Sequence, residues 1–412
     1  MILIGPFSQI ITMGGLPLCG PLKDDALVVI PNGGVLVNKD KIVALGSFNT
    51  LRKKHKARLV EITGPACLLP GLIDAHTHIC HAGSRANDYA LRVAGKTYLE
   101  ILKQGGGILD SVRKTRAASR KQLCQTLSER ATHALRSGVT TCEVKSGYGL
   151  TVDDEIKMLE VIKSVHKDHP VDLVPSCLAA HVKPPEFDTH KDYLNFVATS
   201  LLPVVVKKKL SRRVDVFVEE GAFSSALSRP YLQRAAAMGF DLIIHADQFS
   251  TGGSRLACEV KALSADHLEA STDADIRALA KAGVIATVLP GASLGLGMPF
   301  APARKLLDHG CSVVIASDWN PGSAPMGDLW TQAAVFGAAQ KLSTAETFAG
   351  MTFRAARALR LHDRGVLWPD MLADMQAFPC KDYREILYHQ GQLKPNRVWK
   401  KGVLIVGEKE KL

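Results

Sequence analysis

Residues 69–78 read Leu-Pro-Gly-Leu-Ile-Asp-Ala-His-Thr-His, a short apolar run that ends in two histidines separated by one residue. Side chains two residues apart on a β-strand point to the same face, so the imidazoles of His76 and His78 are expected to lie side by side. Continuous apolar runs are typical of strands that are buried on both faces of a parallel sheet. The stretch therefore predicts a buried strand that carries two metal-ligating side chains at its carboxyl end.

Similar runs of apolar and β-branched residues, each ending in polar residues, recur along the chain. There are eight, at residues 67–78, 138–145, 172–181, 214–220, 241–247, 262–268, 284–290 and 311–318. Between them lie helical patterns such as residues 122–136, and Thr151 and Thr272 stand where helices would begin. Eight strand–helix units over about 250 residues are typical of a (β/α)8 TIM barrel. A doubly wound open sheet is the alternative, but no Gly-x-Gly-x-x-Gly sequence follows the first run.

The two ends of the chain lack this alternation. Residues 1–65 and 365–412 read as short strands separated by turns, for example a turn at Pro31-Asn32-Gly33-Gly34. Chain termini commonly lie close together. We therefore predict that the two segments form one small β-sandwich-like domain beside a barrel of residues 66–364.

Composition excludes several classes of protein. The chain has 412 residues, of which 46% are hydrophobic and 22% charged, so it is neither disordered nor collagen-like. Nine scattered cysteines without a Cys-x-x-Cys pair exclude a disulfide framework and a zinc ribbon. The uncharged segment 284–303 contains three prolines, which makes it a poor membrane helix. We expect a cytoplasmic protein that binds neither membrane nor nucleic acid; its net charge of +11 is compatible with a small anionic substrate.

Polar residues recur at the carboxyl ends of the predicted strands, which is where TIM barrels place their active sites. Five of the fourteen histidines lie at such ends. A lone histidine there would more often be structural, but their recurrence favours one shared site. The strand-end residues are His76, His78, Glu143, Lys145, His181, Glu219, Glu220, His245, Asp247, Asp266, His267, Asp318, Trp319 and Asn320.

Four of these residues form a plausible ligand set for one metal ion: His76, His78, His245 and Asp318. Three neutral imidazoles and a carboxylate suit Zn²⁺ or Fe²⁺ and leave a position for water. A bound cation would lower the pKa of that water toward neutrality. Asp318 could then accept the water's proton and pass it to a leaving nitrogen, while His267 could polarise the attacked carbonyl. Alternatively, His267 is a hydrogen-bonding support for Asp318 or Asp266.

Several blocks of the sequence carry a resemblance to a known family. Residues 69–78 resemble the opening strand of the amidohydrolase superfamily. Five further blocks resemble the imidazolonepropionase family, which acts in histidine degradation. They are Gly83-Ser84-Arg85-Ala86-Asn87, Gly105-Gly106-Gly107-Ile108, residues 143–150 (EVKSGYGL), Ala265-Asp266-His267-Leu268 and residues 317–323 (SDWNPGS). The resemblance covers about residues 68–325, essentially the whole predicted barrel.

The resemblance implies a hydrolase that opens the ring of 4-imidazolone-5-propanoate to N-formimidoyl-L-glutamate, with one Zn²⁺ or iron ion per subunit and a homodimeric assembly. It places the metal on the same four ligands as the strand-end pattern. An arginine fork suits a propionate carboxylate, and a tyrosine ring can cover a planar imidazolone. The implied substrate contacts are Arg85, Tyr148, His181, Gln248, Asn320, Gly322 and Ser323.

The sequence departs from the family pattern at two places near the predicted site. Family members vary between Glu and Gln at position 248, and Gln248 cannot act as a base, so the proton would fall to Asp318 or His267. His81 stands where an apolar residue is more usual, and together with Cys80 it leaves a second, soft-metal site as an alternative.

Three alternatives fit the pattern less well. Binuclear members of the scaffold bridge two ions with a lysine on the fourth strand, and residues 214–220 contain none, which favours one metal. A nucleobase aminohydrolase would use the same ligands but would not need Arg85 for a propionate. A non-catalytic barrel would usually have lost its metal ligands.

Overall fold

The computed structural model describes residues 1–407, which form two eight-stranded sheets with helices around them. The strands are β1 Ile2–Ile11, β2 Val29–Asn38, β3 Lys41–Ser47, β4 Arg58–Glu61, β5 Cys67–Pro70, β6 Leu72–Asp74, β7 Val139–Lys145, β8 Asp172–Ala180, β9 Arg213–Val218, β10 Asp241–Ala246, β11 Ser264–His267, β12 Ile285–Val288, β13 Val313–Ile315, β14 Met375–Phe378, β15 Arg397–Lys400 and β16 Val403–Val406.

The helices lie mostly between consecutive strands of the second sheet. The α-helices are α1 Phe48–Lys54, α2 Ala86–Val93, α3 Tyr98–Lys103, α4 Ile108–Ala117, α5 Arg120–Arg136, α6 Val152–Asp168, α7 His190–Phe196, α8 Leu202–Lys207, α9 Ser225–Ala237, α10 Gly253–Glu259, α11 Asp273–Ala282, α12 Pro290–Leu296, α13 Ala303–Asp308, α14 Leu329–Gln340, α15 Thr344–Met351, α16 Phe353–Ala358 and α17 Arg384–Tyr388. A 3₁₀ turn at Asp24–Ala26 and a π-helical turn at Val197–Leu201 complete the set.

The second sheet confirms the predicted TIM barrel. Strands β6 to β13 pair in chain order, each parallel to the next. Thr151 and Thr272 cap α6 and α11, each accepting a hydrogen bond from a backbone N–H in the first turn, as the sequence predicted. Among the described residues, no helix is both long and apolar enough to cross a membrane.

The barrel closes between its first and last strands just beyond their ends. The Asp74 carboxylate accepts hydrogen bonds from the Ser317 backbone N–H at 3.0 Å and from its hydroxyl at 2.5 Å. Thr77 and Asp318 then form a parallel bridge, in which the His78 N–H donates to the Asp318 carbonyl at 3.1 Å. This closure brings the two histidines of the opening strand beside Asp318, although about 240 residues separate them along the chain.

The first sheet joins both ends of the chain, as predicted. Its order is β16-β15-β14-β5-β1-β2-β3, with β4 parallel to β1, so it is one continuous mixed sheet. Buried side chains of its strands, among them Phe7, Met375 and Trp399, form an apolar cluster of their own. The division of the chain into domains at residues 65 and 365 stays a prediction.

Two details of the predicted strands were wrong. The first run, 67–78, is not one strand, because the chain changes sheets at Gly71: Cys67–Pro70 belongs to the terminal sheet and Leu72–Asp74 to the barrel. A Cβ at Gly71 would lie 2.5 Å from the Thr140 side chain, so only glycine fits where the two sheets meet. The predicted turn at residues 31–34 lies inside β2, which pairs with β1 on both sides of Asn32, through Pro31 with Gln9 and Gly33 with Phe7.

Candidate metal centre

The four predicted metal ligands converge at the carboxyl end of the barrel. The Nε2 atom of His78 lies 3.3 Å from Nε2 of His76 and 3.3 Å from Nε2 of His245. Asp318 Oδ1 lies 3.6 Å from His76 Nε2 and 3.3 Å from His78 Nε2. All four side chains are buried. Three nitrogens and one oxygen from the first, fifth and eighth barrel strands therefore face a common point.

Carboxylates on the far side of two imidazoles determine which ring nitrogen carries the proton. His76 Nδ1 lies 2.6 Å from Asp266 Oδ2, and His245 Nδ1 lies 3.0 Å from Asp215 Oδ1. Because an ionised carboxylate only accepts hydrogen bonds, the ionised form of Asp266 or Asp215 makes Nδ1 of its histidine the donor and leaves the lone pair on Nε2. Burial also lowers the pKa of His245 to about 4, so its ring is neutral. Lone pairs directed at one point are the arrangement of a cation site.

The carboxylate ligand shows the same need for a cation. Asp318 Oδ2 accepts a hydrogen bond from the Ser323 hydroxyl at 2.7 Å, but Oδ1 is buried and, among the described residues, has no hydrogen-bond partner. Burial raises the pKa of Asp318 to about 6. An unpaired buried carboxylate oxygen is costly unless it is compensated. Three nitrogens and this oxygen fit a divalent metal such as zinc or iron.

His267 lies beside these ligands. Its ring centroid is 5.4 Å from that of His245 and 6.0 Å from that of His76. Although burial disfavours its charged form, the carboxylate of Glu269, 3.5 Å from His267 Nδ1, raises the pKa of His267. His267 and Asp318 both have positive φ, at 88° and 64°, a conformation that non-glycine residues adopt mainly at functional sites and tight turns. His267 can therefore donate a proton or a hydrogen bond next to the point where the four candidate ligands converge.

Two of the predicted substrate contacts form an aromatic wall next to His78. The His181 ring lies 5.2 Å and the Tyr148 ring 6.1 Å from the His78 ring, and the two are 5.4 Å apart. His181 Nδ1 lies 3.2 Å from the Gly147 carbonyl, which holds the ring in place. Both side chains are buried. This wall can cover one face of a planar ring.

The remaining predicted contacts lie on segments that follow barrel strands. The Arg85 guanidinium lies against the loop 320–323, since a Cβ at Gly322 would be 2.9 Å from Arg85 Nη1. Within that loop, Asn320 Oδ1 accepts from the backbone N–H groups of Gly322 and Ser323, at 2.8 and 3.4 Å. Asn320 thus holds both N–H groups within its own loop. Gln248 is buried three residues after His245.

Some residues of the site were missed or misplaced by the sequence analysis. Asp215 lies inside the apolar run of β9 and was not considered, although a lone carboxylate in a buried strand is itself a signal. Asp266 was considered as a partner of His267, but it bonds His76. Glu269, which follows β11, was also missed. By contrast, Cys80 and His81 do not belong to either group of candidate ligands found among the described residues.

Comparison with known proteins agrees with this geometry. The model of the amidohydrolase family matches residues 67–405. An imidazolonepropionase of Fusobacterium nucleatum is 40% identical over 388 residues, which are 93% of this chain and 94% of that protein. One of Symbiobacterium thermophilum is 40% identical over 419 residues, covering 99% and 97%.

Solved structures show the same fold at lower identity. A zinc-bound adenosine deaminase of Xanthomonas campestris has a TM-score of 0.72 at 19% identity and covers 100% of this chain and 94% of its own. A zinc complex of atrazine chlorohydrolase of Arthrobacter aurescens has a TM-score of 0.68 at 17% identity, covering 99% and 95%. At such identities the likeness concerns the fold.

A closed parallel barrel whose first, fifth and eighth strands bring three histidines and an aspartate together is the architecture of a metal-dependent amidohydrolase, and the family model covers that whole barrel. Within this class, the near full-length identity places the chain in the imidazolonepropionase family. The chain is thus a hydrolase of histidine degradation, which confirms the family and the reaction class that the sequence motifs indicated.

Proposed function

We propose that this chain hydrolyses the cyclic amide of 4-imidazolone-5-propanoate to N-formimidoyl-L-glutamate, using one Zn²⁺ or iron ion per subunit. The ion would be held by His76, His78, His245 and Asp318. The observation that carries the proposal is the convergence of three imidazole Nε2 atoms on a buried, unpaired carboxylate oxygen. The homodimeric state stays a prediction from the family resemblance, and the cytoplasmic location stays a prediction from the composition.

The chemistry divides between the ion and the side chains around it. When bound, the ion supplies Lewis acidity toward water and the ring carbonyl. Asp318 is placed to accept the proton of the attacking water and to deliver it to the ring nitrogen as the bond between that nitrogen and the carbonyl carbon breaks. His267, with its raised pKa, donates a hydrogen bond to the carbonyl oxygen as negative charge develops there. Gln248 has no acid–base function and would orient the ring.

Substrate orientation would rest on an anchored arginine. Arg85 Nε donates to Asp88 Oδ2 at 2.5 Å, and the same oxygen accepts the Gly107 N–H at 2.9 Å. The carboxylate thereby fixes one edge of the guanidinium and leaves the Nη groups for the substrate. Such a preset fork suits bidentate binding of the propionate carboxylate.

We expect Arg85→Ala to raise KM for the imidazolone by about 10- to 150-fold, with a small change in kcat. The reason is that a hydrogen bond to a charged group contributes about 1.5–3 kcal/mol, and this contact would form equally in the ground and transition states. Steady-state kinetics measures the effect. Arg113→Ala is the matched control, because Arg113 pairs with an aspartate three residues away but is mostly exposed. A drop in kcat with unchanged KM would contradict the positioning role.

The proposed substrate is tested by a direct assay on metal-loaded protein. We expect protein that carries one metal ion per subunit to remove the ultraviolet absorbance of 4-imidazolone-5-propanoate. The same protein should leave adenine, guanine and cytosine unchanged. His76→Ala should lose both the metal and the activity, because it removes one of four ligands. Deamination of a nucleobase without turnover of the imidazolone would instead identify a nucleobase aminohydrolase.

A further inference from the structure

A buried lysine lies beneath the metal ligands and is not explained by the proposed reaction. Lys145 is the last residue of β7, and its side chain is only 1% exposed. Its Nζ lies 2.9 Å from Glu143 Oε1 and 2.8 Å from Asp215 Oδ2. One cation thus balances two carboxylates inside the barrel, and their charges raise the pKa of Lys145 despite its burial. Lysine is almost never fully buried unless it is paired in this way.

Each of the two carboxylates leads to a different part of the metal centre. The second oxygen of Asp215 lies 3.0 Å from His245 Nδ1 and so orients that imidazole. The second oxygen of Glu143 accepts the backbone N–H of Thr77 at 3.1 Å. Thr77 stands between His76 and His78, and its hydroxyl also donates to the Glu143 carbonyl at 2.6 Å. Lys145 therefore connects, through one carboxylate each, to three of the four proposed ligands.

We infer that Lys145 is a positioning residue of the metal centre, which holds Asp215 against His245 and Glu143 against the backbone between His76 and His78. The inference rests on the proposed metal site. Without the ammonium group, two like charges would face each other in a buried space and move apart. His245 would lose its fixed orientation, and the segment that carries the other two histidines would lose its tether. Partners of this kind typically change metal affinity by 10- to 100-fold.

The chain contains a matched control for this arrangement. Lys400 of β15 is also buried between two carboxylates, with Nζ 2.7 Å from Asp172 Oδ2 and 2.6 Å from Asp374 Oδ2. Its side chain is 4% exposed. Neither carboxylate contacts a proposed metal ligand among the described residues. Removing either lysine takes a buried cation away from two carboxylates, although Asp172 keeps Arg364 Nη1 at 2.6 Å, and only Lys145 is connected to the metal centre.

The test compares the zinc affinity of Lys145→Met with that of Lys400→Met and the wild type. Zinc is titrated into metal-free protein in competition with a chromophoric chelator, and thermal unfolding of the metal-free proteins is followed separately. We expect both variants to lose stability, but only Lys145→Met to lose about 10- to 100-fold in zinc affinity. Unchanged zinc affinity in Lys145→Met, or an equal loss in Lys400→Met, would overturn the inference. If His76→Ala bound zinc as tightly as the wild type, the proposed metal site would instead be wrong.

A second variant separates positioning from damage to the core. In the double variant Lys145→Met/Glu143→Gln, the repulsion between the two carboxylates is gone, so Asp215 can stay on His245. We expect a zinc affinity between those of the wild type and Lys145→Met. An affinity no better than that of Lys145→Met would contradict the role of repulsion. If Lys145→Met fails to fold and only the double variant can be measured, a zinc affinity equal to that of the wild type would refute the inference, because the metal centre would then not need Lys145.

Discussion

Asp318→Asn is expected to lower kcat for hydrolysis of the imidazolone by about 10²- to 10⁴-fold, the usual contribution of a general acid–base group. The change keeps the size of the side chain and leaves an oxygen that can face the histidines, but it removes the group that accepts the proton. Asp318 Oδ1 lies 3.3 Å from His78 Nε2 and has no hydrogen-bond partner among the described residues, so it can accept the proton of the attacking water. The decrease in substrate absorbance over time measures the effect.

Metal content has to be measured on the same samples, because Asp318 is also a proposed ligand. Ser323→Ala provides the control. It removes the 2.7 Å hydrogen bond to Asp318 Oδ2 but leaves the carboxylate, so we expect a much smaller loss of kcat. If Asp318→Asn kept its metal and turned over the substrate at the wild-type rate, the assigned proton transfer would be wrong.

His267→Gln is expected to lower kcat by about 10²- to 10³-fold, the loss usually seen when one donor to a developing oxyanion is removed. KM should change little, because this interaction strengthens only in the transition state. The basis is the position of the His267 ring, 5.4 Å from that of His245, and its pairing with Glu269. His309→Gln, which alters an exposed histidine at the end of α13, should leave kcat unchanged.

The variant His267→Gln also tests whether His267 is a hydrogen-bond donor or a metal ligand. A nitrogen of His267 lies within 4.8 Å of the ligand atoms of His76 and His245, so these three histidines could also hold an ion. With His267 as a donor, His267→Gln keeps one metal ion per subunit. Loss of the metal together with activity would show that His267 is a ligand and that the donor role has been misassigned.

The agreement between sequence and structure follows from local periodicity. The two-residue repeat that places His76 and His78 on one face acts within a single strand, and the apolar runs mark strands wherever both faces are covered. The end of each run then indicates which residues reach the mouth of a barrel. For this reason His245 and Asp318, far apart in the chain, could be assigned to one site from the sequence.

Pairings across strands could not be read in this way. Asp215 reaches His245 because β9 and β10 align Asp215 with Ile243, which puts Asp215 and His245 on the same side of neighbouring strands. A shift of one residue would turn Asp215 away from the site. The bond between Asp266 and His76 joins residues 190 positions apart, and it depends on how the whole barrel closes.

The amino-acid pattern alone was enough to predict the barrel, the family and the candidate metal ligands, since each depends on residue types and on spacing within one strand or block. Three features needed the folded chain: the change of sheet at Gly71, the carboxylates that orient His76 and His245, and the burial of Lys145 between Glu143 and Asp215. All three depend on strand register and on contacts between distant segments. Neither can be predicted from the spacing of residues along the sequence.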